Sequence, residues 1–283
     1  MARRYYQVLD EQPFTASFAD QLVPYSPYCD GIDVSLRSTT SVAAVLTATL
    51  LQQISPFEVK LNNTAVISIR GDDLLALDQL FLGEMPIIGE TTAVGSSGKV
   101  QGLTVPTWMQ PKHGNLSIRP NFVSQTNLSV GVMSVEAELL DKVLHDGYLS
   151  YLTSFYTPPS TGAFNLAYDS PLVGDLQGLM IFSTTIPTFA ADVITAREIQ
   201  MFIDGTLAWQ VEWKNLTTPA FPGAQPAPPV VGTVFGQGFT NFLANYGFYD
   251  TSEDPIPKGK RLTIRIQSDN TNNIRIIPIQ QIK

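Results

Sequence analysis

Apolar and polar residues alternate along much of this chain with the two-residue period of β-strands. Residues 57–61 and 199–203 carry apolar side chains at every second position, and Asn62-Asn63 and Asp204-Gly205 follow them directly. The alternation resumes after both dipeptides. Such dipeptides between alternating runs are typical of type I′ turns, in which both central residues take a positive φ. The pattern therefore predicts two β-hairpins.

The predicted hairpins belong to an internal repeat. Phe57 falls on Ile199 at an offset of 142 residues, and further matches at offsets of 143, 145 and 146 keep the same order along the chain. These matches pair residues 25–27 with 168–171, 36–40 with 181–185, 116–119 with 262–265, and 127–128 with 273–274. Insertions and deletions in the loops of two copies of one β domain would change the offset between matched residues by such small amounts. We therefore expect two domains, residues 1–143 and 144–283, each with the seven or eight strands of a jelly roll.

The first copy also contains a helical pattern. Gly71-Asp72-Asp73 places two carboxylates in a first turn, where the helix dipole favours negative charge. One apolar stripe follows, formed by Leu74, Leu77, Leu80 and Phe81. Gly83 follows the stripe, and glycine readily adopts the left-handed conformation that commonly ends a helix. We predict a helix packed on one end of the first barrel.

Long irregular loops are expected at matching places in the two copies. They cover residues 85–114 and the Pro-rich residues 219–232, and a second, weaker helix is expected at 238–246. Further strands are predicted over residues 14–19, 31–37 and 42–51, and a short helix or turn is expected in the boundary region at 139–147. Loops carry binding functions more often than the strands that support them.

Composition narrows the possible functions. Only 15% of the residues are charged, against about 25% in an average protein, so we expect much of the surface to be covered by other copies of the chain. The net charge of −8 disfavours a specific nucleic-acid partner, because binding a polyanion requires clustered Lys and Arg. Cys29 is the single cysteine, which excludes an internal disulfide. No apolar run reaches the roughly 18 residues that cross a bilayer.

The first six residues are basic and lack the apolar core of a secretory signal. Two interpretations remain open. The segment is either a disordered tail or a short arm in which Arg3 and Arg4 contact an acidic surface, such as lipid headgroups or a neighbouring subunit.

Patterns that carry catalysis are missing. The two histidines, His113 and His145, are far apart, which excludes a His-rich metal centre and predicts surface histidines. The Gly-x-Ser-x-Gly motif of serine hydrolases does not occur. Cys29 has no His beside it and is expected to be an inert thiol. Residues 95–99 resemble a phosphate-binding loop, but Ala93 and Val100 stand where that motif requires Gly and Ser or Thr, so a flexible loop is expected.

An acidic cluster at residues 250–254 offers the oxygen ligands that calcium takes. Its spacing is not that of an EF-hand, so a structural calcium ion has no support from the pattern. We predict no cofactor and no resident metal.

Two tandem β domains, low charge, long loops and no catalytic pattern together resemble the double jelly-roll major capsid proteins of icosahedral, membrane-containing bacteriophages, in the corticovirus-like and tectivirus-like lineage. The local likeness lies in the strand–turn–strand of residues 199–213 and its counterpart at 57–72. The resemblance implies an all-β chain of two tandem jelly-roll sandwiches with one or two short helices. It also implies a non-enzymatic virion protein that forms the icosahedral shell as pseudo-hexagonal homotrimers. Its partners would be neighbouring trimers, other virion proteins and the internal lipid membrane, towards which Arg3 and Arg4 would face.

Other interpretations remain open. One is a capsid protein with a single jelly roll and an inserted domain. Another is a two-domain carbohydrate-binding or host-attachment protein that uses Trp108, Trp209 and Trp213 as sugar platforms, although Trp209 and Trp213 fall on the inward-facing register. A third is a glycan hydrolase of two stacked jelly rolls, which would need a converging pair of acidic residues.

Overall fold

A computed structural model describes residues 3–13, 19–24, 27–40, 50–83, 86–89, 97–123, 128–184, 193–213 and 245–283. The strands and the α-helix, in chain order, are β1 (Arg3–Pro13), β2 (Gln21–Leu22), β3 (Tyr28–Thr40), β4 (Ile54–Leu61), β5 (Thr64–Ile69), α1 (Gly71–Leu77), β6 (Ile87–Gly89), β7 (Ser97–Met109), β8 (Leu116–Phe122), β9 (Leu128–Leu140), β10 (Tyr148–Leu152), β11 (Ser154–Tyr156), β12 (Phe164–Pro171), β13 (Asp175–Ser183), β14 (Glu198–Ile203), β15 (Thr206–Glu212), β16 (Tyr246–Asp250), β17 (Arg261–Gln267) and β18 (Ile274–Ile282). The described residues fall into two compact units, one that runs to Tyr151 and includes Lys283, and one from Leu152 to Ile282.

The first unit is a sandwich of two β-sheets. Sheet A1 has the strand order β1-β9-β3-β7-β6, and sheet B1 has the order β10-β5-β4-β8-β2. Alternate residues of the central strands point into the space between the sheets, among them Ile32 and Val34 of sheet A1 and Val59 and Ile118 of sheet B1. Burial of these apolar side chains is the main stabilising term of the unit.

The second unit is also a sandwich. Sheet A2 has the order β11-β18-β13-β16, and sheet B2 has the order β12-β17-β14-β15. Its core combines Leu179 and Ile181 from sheet A2 with Ile199, Met201 and Ile264 from sheet B2. In β14, the face that the alternation predicted to be buried is the buried one, whereas Leu207 of β15, predicted on the same face, is 47% exposed.

The strand orders of the two units coincide. β1-β9-β3-β7 corresponds to β11-β18-β13-β16, and β2-β8-β4-β5 corresponds to β12-β17-β14-β15. Eight strands in two four-stranded sheets of this connectivity form a jelly roll. The predicted all-β fold of two tandem jelly rolls is confirmed. The alternative of one jelly roll with an inserted domain is wrong, because each unit has the complete set of strands.

The internal repeat also holds at the level of strand register. Glu58 lies opposite Arg119 in the first unit, and Gln200 lies opposite Arg265 in the second. These pairs are related by the offsets of 142 and 146 residues that the sequence predicted. The match of residues 25–27 is wrong, because the register of β2 and β12 equates Gln21 with residue 168 instead.

Both hairpins contain the predicted turn. Asn62 and Asn63 have φ values of 49° and 67°, and Asp204 and Gly205 have values of 51° and 79°. Positive φ at both central residues defines the type I′ turn, whose twist matches that of the flanking strands. The side chain of Asn62 stabilises the first turn further, because its Oδ1 accepts the backbone N–H of Asn115 at 2.9 Å.

A β-bulge follows the same pattern of duplication. It interrupts the β4–β5 ladder between Val59 and Lys60, and the β14–β15 ladder between Met201 and Phe202. The offset of 142 residues relates these two positions. A bulge adds one unpaired residue and increases the local twist, so both hairpins bend at the same point.

The helix forms where it was predicted. α1 continues as a wide helical turn over residues 78–82 and ends at Gly83, which has a φ of 70°. The Oδ2 atom of Asp78 accepts the backbone N–H of Thr104 at 2.8 Å, which fastens the end of the helix to β7. All seven residues of α1 are buried.

Several predicted loops and strands differ from the structure. Residues 85–114 contain β6 and β7 instead of one long irregular loop, and residues 97–99 of the phosphate-loop-like segment begin β7. The alternation of β7 was hidden by Gly102, whose φ of 72° resets the side-chain pattern between Val100 and Leu103. Leu50 and Leu51, at the end of the strand predicted over 42–51, are helical.

Some predictions concern residues that the structure does not describe. Residues 14–18, 41–49, 219–232 and 238–244 lie outside the described residues. Residues 141–142 and 145–147 form bends, and the predicted boundary segment contains no helix over residues 141–147. The domain limit at 143/144 stays a prediction, and the two compact units change over after Tyr151.

Candidate assembly surface

The N-terminal segment is an exposed edge strand. β1 pairs with β9, with Arg3 opposite Leu140, so the interpretation of the first six residues as a disordered tail is wrong for residues 3–6. Leu9 is the one buried residue of this strand. Tyr5 is 55% exposed and Tyr6 is 43% exposed. Sequence reasoning missed the strand, because a strand exposed on both faces shows no apolar alternation.

The two predicted arm residues have different environments. The Nε atom of Arg3 lies 2.8 Å from Oε1 of Glu138, a carboxylate that is largely buried between the strands. The negative charge of Glu138 raises the pKa of Arg3. Arg4 follows in the strand with an exposed side chain. Arg3 therefore compensates a buried charge within the fold, and Arg4 is the better placed of the two for an external partner.

The outer face of sheet B1 carries a cluster of charges. The Nζ atom of Lys60 lies 3.0 Å from Oδ1 of Asp20 and 3.6 Å from Oε2 of Glu58. The Nε atom of Arg119 lies 3.9 Å from the same oxygen of Asp20. The Lys60 side chain is only 11% exposed, so these pairs are screened less by solvent than a fully exposed pair would be.

The same positions in sheet B2 are largely uncharged. Phe202 stands at the position of Lys60, and Gln200 stands at that of Glu58. The guanidinium carbon of Arg265, the counterpart of Arg119, lies 5.1 Å from the centre of the Phe202 ring. Leu166 and Leu207, on neighbouring strands, are 55% and 47% exposed. The second unit therefore presents the more apolar outer face, as surfaces that contact other proteins often do.

The histidines do not form a site together. His145 stacks on Trp108 with ring centres 3.8 Å apart, and Nδ1 of His113 accepts the backbone N–H of Gln110 at 3.1 Å. Burial lowers the pKa of both imidazoles. Both histidines are half-buried, so each lies at the surface with part of its side chain exposed.

Cys29 is a buried thiol. Burial raises its pKa to about 12, so the sulfur stays protonated at neutral pH and is a poor nucleophile. The Oγ1 atom of Thr107 on β7 donates to the backbone carbonyl of Cys29 on β3 at 3.0 Å, which links these two strands. The thiol belongs to the packing of sheet A1.

The tryptophans of β15 and its end pack inward. Trp213 is buried in the core of the second unit, and Trp209 is half-buried against Tyr249, with ring centres 4.6 Å apart. Neither forms the flat exposed platform that sugar binding requires. The inward register that the sequence indicated for both residues is correct.

Within the described ranges, no group of three or more His, Cys, Asp or Glu residues could hold a metal ion. In the acidic segment, Oδ1 of Asp250 accepts the backbone N–H of Ser252 at 2.9 Å. Among the helices of the described residues, none is long and apolar enough to span a membrane.

Comparisons with known proteins give a structural likeness. No family model matches the chain, and no characterised protein matches it by sequence. The major capsid protein of Sulfolobus turreted icosahedral virus superposes with a TM-score of 0.70 at 11% identity, over 100% of this chain and 97% of that chain.

Two further solved structures have the same architecture. The major capsid protein P2 from bacteriophage PM2 has a TM-score of 0.58 at 10% identity, over 100% of this chain and 98% of that chain. The PBCV-1 virus capsid has a TM-score of 0.59 at 9% identity, over 99% and 93% of the two chains. The chain therefore has the double jelly-roll fold that these viral capsid proteins share.

Proposed function

We propose that this chain is the major capsid protein of an icosahedral virus, and that it acts in the virion as a structural protein and not as an enzyme. The observation that carries the proposal is the double jelly roll itself, which matches the Sulfolobus turreted icosahedral virus protein over nearly the full length of both chains. The low charged fraction of 15% supports it, because a chain with few charges is suited to bury much of its surface between copies.

We propose further that the assembly unit is a homotrimer. Three chains with two equivalent jelly rolls each supply six similar modules, which suits a six-cornered position in a shell. Duplication also lets the two modules differ where their contacts differ. The divergence at Lys60 and Phe202, charged in one copy and aromatic in the other, supports such unequal surroundings. Neighbouring trimers, other virion proteins and an internal lipid membrane are the proposed partners.

Light scattering coupled to size-exclusion chromatography tests this proposal. We expect the purified chain to elute as a stable species of three times 31.0 kDa at micromolar concentration. Binding of soluble glycans should be undetectable by calorimetry. A monomer that binds glycans would contradict the proposal and favour a carbohydrate-binding protein.

The contact of Arg4 with an acidic surface remains part of the proposal. Replacing Arg4 with Gln removes one exposed cation and leaves the Arg3–Glu138 pair intact. If the partner is a lipid, Arg4→Gln should weaken flotation with phosphatidylglycerol vesicles, since each basic residue near an anionic surface contributes about 1 kcal/mol. If the partner is a neighbouring subunit, only particle assembly should weaken. Unchanged flotation and assembly would remove Arg4 from the proposal.

A further inference from the structure

A short turn and a connecting segment meet within the first unit. The turn, residues 110–114, lies between β7 and β8, and the connector, residues 141–147, joins β9 to β10. Both belong to the first compact unit. Most of the connector is exposed to solvent, namely Asp141, Lys142, Val143, Leu144 and Asp146. A segment with so little burial depends on a few specific contacts for its position.

Gln110 fastens the connector to the turn. Its Nε2 atom donates to the backbone carbonyl of His145 at 3.1 Å. An ion pair also links the two segments, with Nζ of Lys112 at 3.1 Å from Oδ1 of Asp146. Both side chains of this pair are more than half exposed, so the pair contributes little to stability. The position of the connector therefore depends more on Gln110 than on the ion pair.

His113 positions Gln110. Nδ1 of His113 accepts the backbone N–H of Gln110 at 3.1 Å, and the side chain of Gln110 accepts the backbone N–H of His113. The two residues thus form a capping box, in which each side chain satisfies the backbone of the other. This arrangement requires an Nδ1 atom without a proton. The neutral imidazole can provide such an atom and the imidazolium cannot.

The connector also stacks on Trp108. A β-bulge interrupts the β3–β7 ladder between Pro106 and Met109, and Trp108 within it has a φ of 55°. Bulges commonly turn a side chain in a new direction, and here the indole stacks on the ring of His145. Burial lowers the pKa of His145, and Asp30 of β3 raises it. A protonated His145 would still be attracted to the indole face, so this stack is not the acid-sensitive contact.

We infer that the turn and the connector form an acid-sensitive latch, in which protonation of His113 releases the connector. The inference goes beyond the proposed function and does not depend on it. An imidazolium carries a proton on Nδ1, so this atom would meet the N–H of Gln110 as a second donor. The capping box then opens and Gln110 loses its fixed orientation. The hydrogen bond to the carbonyl of His145 is lost as a consequence.

The groups around His113 act in opposite directions. Burial lowers the pKa of His113 and the charge of Lys112 lowers it further, whereas Asp146 of the connector raises it. Tyr148 of β10 contacts the imidazole, with ring centres 5.1 Å apart. Burial raises the pKa of Tyr148, so its hydroxyl group carries no charge at acidic pH. The net result is a lowered pKa for His113.

The direction of the pH effect follows from this lowered pKa. A released His113 has the ordinary pKa of about 6.5, so the open latch binds a proton more readily than the closed latch. The closed latch is therefore most stable above about pH 6.5. Its stability falls as the pH drops below that value and through the pKa of His113 in the closed latch.

Limited proteolysis of the full chain tests the latch. Papain is active in weak acid and at neutral pH, and its rate on a short peptide substrate corrects for its own pH dependence. We expect the connector to be cleaved at least about tenfold faster at about pH 5 than at about pH 7.5. Fragment masses should place the cleavage within residues 141–147. Hydrogen exchange of β3 at both pH values shows whether the first unit stays folded.

Two variants separate His113 from the other titratable groups. His113→Asn retains an acceptor near the position of Nδ1 and cannot be protonated, so it should abolish most of the pH dependence. His145→Phe is the matched control, because it keeps a ring on Trp108 and leaves His113 unchanged. This variant should retain the pH dependence of the wild type.

A proton NMR titration gives a second measurement, which does not require His113→Asn to fold. The chain contains two histidines, so the signals of their rings can be followed separately in the wild type. The signal that persists in His145→Phe belongs to His113. We expect it to titrate over the pH range in which cleavage of the connector accelerates.

Each contrary outcome is decisive. Equal cleavage of the wild-type connector at both pH values overturns the inference. Unchanged pH dependence in a folded His113→Asn variant also overturns it, as does its loss in His145→Phe, or a His113 signal that does not titrate where cleavage rises. These outcomes leave the capsid proposal intact, because that proposal is tested by the oligomeric state.

Discussion

Gly71 shows how closely the helix approaches its surroundings. A Cβ atom at this position would lie 2.3 Å from the backbone oxygen of Leu51 and 3.1 Å from Cβ of Ile54. A backbone oxygen cannot turn aside as a flexible side chain can. Gly71 therefore allows α1 to begin directly against the buried Leu51 segment.

Replacing Gly71 with Ala should destabilise the first unit. We expect the free energy of unfolding to fall by about 1–3 kcal/mol, because the added methyl group overpacks a buried contact. Urea denaturation followed by circular dichroism measures the change. Gly259→Ala is a comparison for backbone strain alone, since Gly259 has a φ of 84° and open space around its Cβ position, whereas Gly71 has no positive φ. No loss of stability on Gly71→Ala would mean that the helix shifts away from Leu51 to accommodate the methyl group.

The same region shows what the sequence can predict at single residues. The carboxylates of Asp72 and Asp73 and the leucine spacing predicted the helix correctly. The role of Asp78 could not be predicted, because the backbone N–H that it accepts belongs to Thr104, on a strand that sequence analysis assigned to a loop. A polar contact becomes predictable only when both of its elements are known.

Elements were predictable where the signal was local. The two type I′ turns follow from Asn62-Asn63 and Asp204-Gly205 alone, and both formed as predicted. β1 and β7 were missed for different reasons. β1 is exposed on both faces, and the positive φ of Gly102 divides the alternation of β7 into two short runs. Edge exposure and bulges depend on neighbouring strands, which local patterns do not contain.

The second turn should depend on its glycine. Gly205→Ala places a side chain on a residue with φ of 79°, and we expect a loss of about 1 kcal/mol in the free energy of unfolding. Asn63→Gly, at the equivalent position of the first turn, should change stability by less than about 0.5 kcal/mol, because glycine adopts this conformation freely. Thermal denaturation of both variants provides the comparison. No loss on Gly205→Ala would mean that the turn changes type to accommodate the methyl group.

At the scale of the whole molecule, net charge opposes the association that the fold favours. Each chain carries a formal charge of −8, so copies repel one another over distances comparable to the Debye length. That length falls from about 30 Å at 0.01 M salt to about 10 Å at 0.1 M. Apolar contacts such as those available at Leu166 and Leu207 do not weaken with salt.

We therefore expect salt to promote assembly. Static light scattering should show larger particles, or the same particles at lower protein concentration, as NaCl rises from about 0.01 to 0.1 M. Exchange of chloride for another monovalent anion at equal ionic strength is the control for specific ion binding. Disassembly on adding salt would indicate that contacts between opposite charges dominate the interfaces.

The bulge that occurs between Val59 and Lys60 and again between Met201 and Phe202 has a consequence for the origin of the chain. An inserted residue reverses the facing of every side chain beyond it, so two independent insertions at one equivalent position would each have required a rebuilt hairpin. A single ancestral half-length protein that already had this kink accounts for both. The two halves of the chain are thus homologous, and each pair of equivalent positions shows how one ancestral residue diverged in two structural settings.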